Sequence, residues 1–384
     1  MPPDIIHTVH QLKQLFRKLH LWLSIPFGLI ITLICFSGAM LVFEQEVMQF
    51  THRSLYYVDE VKNKPLPVDE LVACAKASLP NDVAVQNVTI FHDPHRAYHI
   101  TLSKPPKSAL IIDQYTGEIK GRSQRTPFFS TMFRLHRWLL GSRPNGGGIF
   151  WGKTIVGIST LLFVLVLISG VIIWWPHTIK GLKNGLRIKF CNGSYKLWHG
   201  LHVAGGMYAL LLLLVMALTG LTWSFNWYRT VFYKSFGVEM QQRGNHNSNN
   251  HVQNTAHDTA HRYEHWQQVY STLAVNNPNN MSISIGDGTA VVSHNRYGNT
   301  RGGDKYRFDP NTGEIIESIF YKDLSKSGKI RGWIYSVHTG TFGGTITRLI
   351  WFLAALLGAT LPITGYYLWI KKTISRNKNI GNNT

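Results

Sequence analysis

The stretch that decides the fold is Lys18–Leu41, "KLHLWLSIPFGLIITLICFSGAML". From Leu19 onward it holds no Asp, Glu, Lys or Arg. About twenty apolar residues suffice to cross roughly 30 Å of hydrocarbon as a helix. Three further runs share this character: Ile155–Trp175, Val203–Phe225 and Leu349–Ile370. A buried core helix would be shorter or carry a polar stripe, so the sequence predicts four transmembrane helices. A cleaved signal peptide ending at Ser37–Ala39 is disfavoured, because the apolar run is too long and acidic residues follow it.

The charge pattern predicts an orientation. Lys180, Lys183, Arg187, Lys189 and Lys196 lie between the second and third runs with no acid among them, and Lys371, Lys372, Arg376 and Lys378 follow the fourth. Short basic loops stay cytoplasmic, which places both termini inside and the two long segments outside. Topology and anionic lipid thus account for much of the net charge of +19, and no basic soluble domain is left for nucleic acid. Cys35, Cys74 and Cys191 fall in three separate segments, so no intrachain disulfide is expected, and no C-x-x-C-H occurs for covalent haem attachment. Trp174, Trp175, Trp223, Trp227, Trp351 and Trp369 near the span ends read as aromatic belts.

The chain repeats itself. "LIIDQYTGEIKG" (residues 110–121) returns as "YRFDPNTGEIIES" (306–318), each an Asp-x-x-Thr-Gly-Glu turn in alternating strands. A helix and two strands precede each copy, so the external segments read as two small α+β domains of one type. The spans repeat as well. His20 precedes Gly38 by eighteen residues, and His202 precedes Gly220 by the same count. The reading is a parallel duplication: residues 1–18, span 19–43, domain 44–126, histidine segment 127–148, span 149–175, basic loop 176–197, span 198–225, domain 226–328, histidine segment 329–345, span 346–370 and tail 371–384.

One histidine accompanies each span. His20 and His202 start spans one and three, while His136 and His338 precede spans two and four. An imidazole on an apolar face near the membrane needs a partner, and facing imidazoles inside a bundle are the usual axial ligands of b-type haem. Pairing by depth predicts one haem on His20 and His202 and a second on His136 and His338. Gly200, Gly205, Gly206, Gly340, Gly343 and Gly344 would let a flat macrocycle approach the backbone, and Arg17, Arg134 and Arg137 would meet its carboxylates. His199 shares roughly the face of His202 and is the alternative ligand. Two imidazoles alone fall short of a zinc site, and the spans lack the acids of a proton relay. His257, His261 and His265 at i, i+4 spacing read as a solvated tract before a weak metal site, and His92, His95 and His99 as surface or strand residues.

Together "KLHLWLSIPFGLIITLICFSGAM", "LHRWLLG…SGVIIWWP", "GLHVAGG…ALTGLTWSF", "VHTGTFGG…LPITGYYLWI" and the paired D-x-x-TGE turns resemble the PepSY-associated transmembrane proteins over about residues 10–372. Within that family the chain looks like the FoxB-type di-haem ferric-siderophore reductases of bacterial inner membranes. The resemblance implies a four-helix bundle with two periplasmic PepSY-like domains and two haem b held by His20, His202, His136 and His338. It further implies a ferric siderophore as periplasmic substrate. Electrons would come from a separate cytoplasmic or quinol donor, because no dinucleotide fingerprint or catalytic triad is present. The rivals are a siderophore or iron transporter and a haem-free binding or regulatory membrane protein.

Overall fold

The computed structural model describes residues 3–105, 108–144, 148–176, 178–188, 193–239, 263–294 and 297–381, with side chains of the terminal helices described over 10–375. Its helices are α1 (Pro3–Val42), α2 (Glu44–Thr51), α3 (Arg53–Tyr56), α4 (Val68–Ala77), α5 (Pro127–Trp138), α6 (Trp151–Trp174), α7 (Ile179–Gly185), α8 (Ser194–Gly200), α9 (Gly206–Ser224), α10 (Asn226–Ser235), α11 (Trp266–Asn276), α12 (Lys326–Thr339) and α13 (Gly344–Gly381). The strands are β1 (Val85–Phe91), β2 (Tyr98–Leu102), β3 (Ala109–Ile112), β4 (Ile119–Ser123), β5 (Ser282–Gly286), β6 (Thr289–Ser293), β7 (Asp304–Phe308) and β8 (Ile315–Ile319). Among the described residues four helices are long and apolar enough to span a membrane: His10–Val42, Trp151–Trp174, Ser194–Ser224 and Thr341–Ser375. The chain is a membrane protein.

The chain divides into two compact units. The first comprises residues 1–42, 127–232 and 337–384, and the second residues 43–126 and 233–336.

In the first unit the spans close on a core of Ile31, Phe163, Leu167, Leu213, Leu221, Ala354 and Leu361. Lipid is as apolar as this core, so the helices hold together by close approach and local hydrogen bonds. The Tyr366 hydroxyl donates to the Ile25 carbonyl at 2.6 Å and the Thr32 hydroxyl to the Ala359 carbonyl at 3.0 Å. Gly157 lets α6 lie against Phe225, whose ring is 2.6 Å from where a Cβ would stand. Trp351, expected in an aromatic belt, is instead 8 % exposed, packed on Phe342 and on the backbone of Gly340.

In the second unit the two predicted domains share one sheet, in the order β4-β3-β2-β1-β5-β6-β7-β8. Each half is a meander covered by one helix, and the halves join where β1 runs antiparallel to β5, with Val88 opposite Ile285 and Thr89 opposite Ser284. Two separate four-stranded sheets would each expose an inner edge, and the seam pairs those edges with each other. The sheet's apolar face and the covering residues Leu71, Val72, Trp266, Val269 and Leu273 form a single core. The Val68 amide at the start of α4 donates to the Gln267 side chain of α11. The repeated turns are built alike. Asp113 accepts from the Tyr115 and Thr116 amides, and Asp309 from the Asn311 amide. Gly117 and Gly313 take φ of +74° and +70°, as the turn requires.

Candidate histidine-pair site

Each of the four singled-out histidines rests on a span that is not its own, and each meets the same local device. His20 of α1 turns its Nδ1 to the Ser169 hydroxyl of α6 at 2.9 Å. His136 of α5 turns Nδ1 to the Ile34 carbonyl of α1 at 2.9 Å. His202 reaches the Leu361 carbonyl at 3.1 Å and the Thr364 hydroxyl at 2.9 Å on α13. His338 of α12 reaches the Met216 carbonyl and the Thr219 hydroxyl on α9, both at 3.0 Å.

The device is written four times in the sequence: Ile34–Gly38, Val166–Gly170, Met216–Gly220 and Leu361–Gly365, each with Ser or Thr just before the glycine. In a helix the first carbonyl of each pentapeptide already accepts from the glycine amide, and its second lone pair is open to a donor. The missing Cβ admits an imidazole onto that spot. A Cβ on Gly38 would stand 2.8 Å from His136 Cε1, and the matching distances are 3.2 Å for Gly220 and His338, 3.3 Å for Gly365 and His202, and 3.6 Å for Gly170 and His20.

This arrangement assigns the tautomer. Carbonyl oxygens only accept. The Ser169, Thr219 and Thr364 hydroxyls give their single protons to the carbonyls of Val166, Val215 and Leu361, so toward the imidazoles they too accept. Nδ1 therefore carries the proton in all four rings, and Nε2, which makes no hydrogen bond among the described residues, presents its lone pair. Metal-ligating histidines are commonly arranged this way, with Nδ1–H bonded to a carbonyl or carboxylate that fixes the ring.

The structure brings the rings together in two pairs. His20 and His202 have ring centres 6.3 Å apart at 87°, and His136 and His338 are 6.1 Å apart at 52°. A direct N–H···N bond would draw the centres to about 5 Å. Two imidazoles bound to one metal at about 2.0–2.1 Å place them about 6 Å apart. The pairs lie at opposite ends of the bundle, eighteen residues apart along α1, or about 27 Å of helix rise. Burial, the neighbouring His136 and the Arg137 charge hold His338 down to about 3, so that ring is neutral. No cluster of three or more His, Cys, Asp or Glu suited to a metal ion occurs among the described residues. A two-imidazole site suits a metal that brings its remaining ligands with it, as the iron of haem does.

Other expected positions differ. His202 lies in a π-turn, Leu201–Gly205, that joins α8 to α9. The extra residue of a π-turn breaks the shared face assumed for His199, which is exposed and stacked on Tyr195. Gly205, Gly206, Gly340 and Gly343 meet Leu357, Leu361, Trp351 and Thr347, so they serve packing and turns. Leu139 and Leu140 follow α5 with φ of +47° and +65°. Arg134 donates to the Leu140 carbonyl, Arg137 lies over Phe133 and Trp138, and Arg17 is exposed. His257 and His261 lie outside the described residues. The Ser/Thr-Gly dipeptide in every span was the signal for the cradles, legible only once the ring above each glycine is seen.

The model of the PepSY-associated TM region matches residues 17–372, nearly the whole chain, and the protein belongs to that family. No curated protein matches it.

Proposed function

We propose that this member of the PepSY-associated TM family is an inner-membrane electron-transfer protein with two b-type haems that reduces siderophore-bound ferric iron on the outer side. The observation that carries the reading is the double histidine pair: ring centres 6.3 and 6.1 Å apart, every Nδ1 engaged and every Nε2 free. His20 and His202 would hold one haem and His136 and His338 the other. Bound haem supplies a one-electron Fe(III)/Fe(II) couple.

The chain's own residues have three tasks. The cradle carbonyls and hydroxyls hold each imidazole proton on Nδ1 and keep Nε2 basic. The glycines set ring depth, and the apolar spans keep water from the sites. One electron per ferric ion crosses from the basic end of the bundle. A quinol releasing two electrons and two protons serves two ferric ions, and a reduced flavin can do the same. Ferrous iron is held far less tightly by hard oxygen donors, so reduction frees it. The internal duplication and the periplasmic setting of the sheet unit belong to this reading.

The test is a pyridine haemochrome assay with a reduced-minus-oxidised spectrum on detergent-purified protein expressed with ample haem. About two b haems per chain are expected, and His20→Ala or His338→Ala should each remove one. Absence of haem from the wild type overturns the proposal in favour of a haem-free binding or regulatory role.

A further inference from the structure

Charge is divided unevenly between the two units. The bundle unit holds 18 Lys and Arg against one carboxylate, Asp4, whereas the sheet unit holds 21 against 19. Cations at the His20 and His202 end follow from short basic loops beside a membrane. That rule gives no reason for a second group at the opposite end, where Arg137, Arg143, Lys153 and Arg229 occur, since the unit's one acid, Asp4, lies at the start of α1.

Packing makes these residues neighbours. The Trp138 carbonyl lies against Gly152, leaving no room for a Cβ there, so the end of α5 with Arg137 abuts the first turn of α6 with Lys153. Gly157, one helical turn beyond Lys153 on the same face, meets Phe225 and Ser224. Arg229 stands one turn after Phe225, and its amide donates to the Phe225 carbonyl. Arg137, Arg229 and Arg143 are near enough for their positive charges to act on Lys153.

Nor are these cations merely solvated. Arg137, Lys153 and Arg229 are half-buried. The Arg137 guanidinium is wedged over the Phe133 and Trp138 rings at 5.6 and 5.8 Å. Among the described residues Arg229 holds one side-chain bond, Nη2 to Asn226 Oδ1 at 3.3 Å, and its Nε–H is buried with no acceptor. Like charges held together and partly desolvated are costly unless an anion joins them. Guanidinium groups with an ammonium between them match the planar, bidentate geometry of carboxylates.

We propose that Arg137, Lys153 and Arg229, with Arg143 at the rim, form an anion-binding site for the carboxylates of an iron(III) chelate, so that the substrate is an anionic polycarboxylate complex. This rests on the reductase reading for its iron, but binding can be measured without it. The probe is gallium(III) citrate, which has the charge and shape of the ferric complex and is not reduced under these conditions. Binding is followed by calorimetry on the purified full-length protein in an uncharged detergent, beside a neutral gallium(III) trihydroxamate.

The expected result is citrate-complex binding that weakens at least tenfold in Lys153→Gln and in Arg229→Gln and falls with added salt, while haem content stays at the wild-type level. The neutral complex should bind no better than the variants do. Equal binding of both complexes, or binding indifferent to the substitutions, overturns the proposal. So does loss of haem from the variants with chelate binding intact, which would assign the cations to porphyrin carboxylates. Loss of co-purified anionic phospholipid with chelate binding intact overturns it in favour of a lipid headgroup. Wild-type protein that binds the citrate complex but no haem would keep this site and sink the reductase reading alone.

Discussion

At the scale of the residue, the four glycines under the imidazoles are not equivalent, and their spacing ranks them. A methyl group on Gly38 would stand 2.8 Å from the His136 ring, inside any real carbon contact, while one on Gly170 would stand 3.6 Å from His20 in ordinary contact. On the di-haem reading proposed above, Gly38→Ala is therefore expected to lose the haem of the His136 and His338 pair, and Gly170→Ala to keep both, as read by haemochrome stoichiometry. The hydroxyls rank as well. Ser169 is the side-chain partner of His20, whereas His202 has the Leu361 carbonyl beside Thr364. Ser169→Ala should weaken haem retention about 10–100-fold, the usual cost of a lost outer-shell partner, and raise the midpoint potential of that site; Thr364→Val should do less.

His99 sets a pH dependence outside the spans. Burial, followed by the Arg96 charge, lowers it to about 4, and its Nε2 lies buried without a hydrogen-bond partner among the described residues. Between about pH 6.5 and 4 the unfolded chain takes up a proton that the folded chain refuses, so stability falls on acidification through that window. The loss by pH 4 is about 3 kcal/mol. Thermal unfolding of the full chain across this range should show the slope, and His99→Leu should flatten it.

At the scale of the element, sequence periodicity located the four spans and the two Asp-x-x-Thr-Gly-Glu turns, because each depends on residues within a few positions of one another. The π-turn at Leu201–Gly205 was not legible. It arises where α8 and α9 join and His202 must reach α13, a demand set by a helix more than 150 residues away. The joining of two meanders into one sheet was equally hidden, since β1 and β5 read as ordinary strands whose partners no local pattern names. That sheet's helical cover offers a direct check. Trp266 of α11 is 1 % exposed in the core shared by both halves, and Trp266→Ala should cost about 3–5 kcal/mol. A shared core also predicts a single unfolding transition for both halves; two separate transitions would argue for independent domains.

At the scale of the whole molecule, the asymmetry of charge predicts orientation, and the natural cysteines can report it. Cys74 is exposed in the sheet unit, Cys35 is half-buried in a span, and Cys191 falls in the basic loop. A membrane-impermeant maleimide applied to intact spheroplasts should label Cys74 and leave Cys191 unlabelled until lysis. The reverse pattern would place the basic loop outside.

Hydropathy suffices to say that this is a four-span membrane protein, because that property belongs to single segments and to the bilayer they meet. Which ring faces which, which nitrogen carries the proton and why each span has a Ser/Thr-Gly pair were decided only in the tertiary structure. The physical reason is that every cradle is made by a helix remote in sequence from the histidine it receives. No local pattern can state such a contact until the helices have packed.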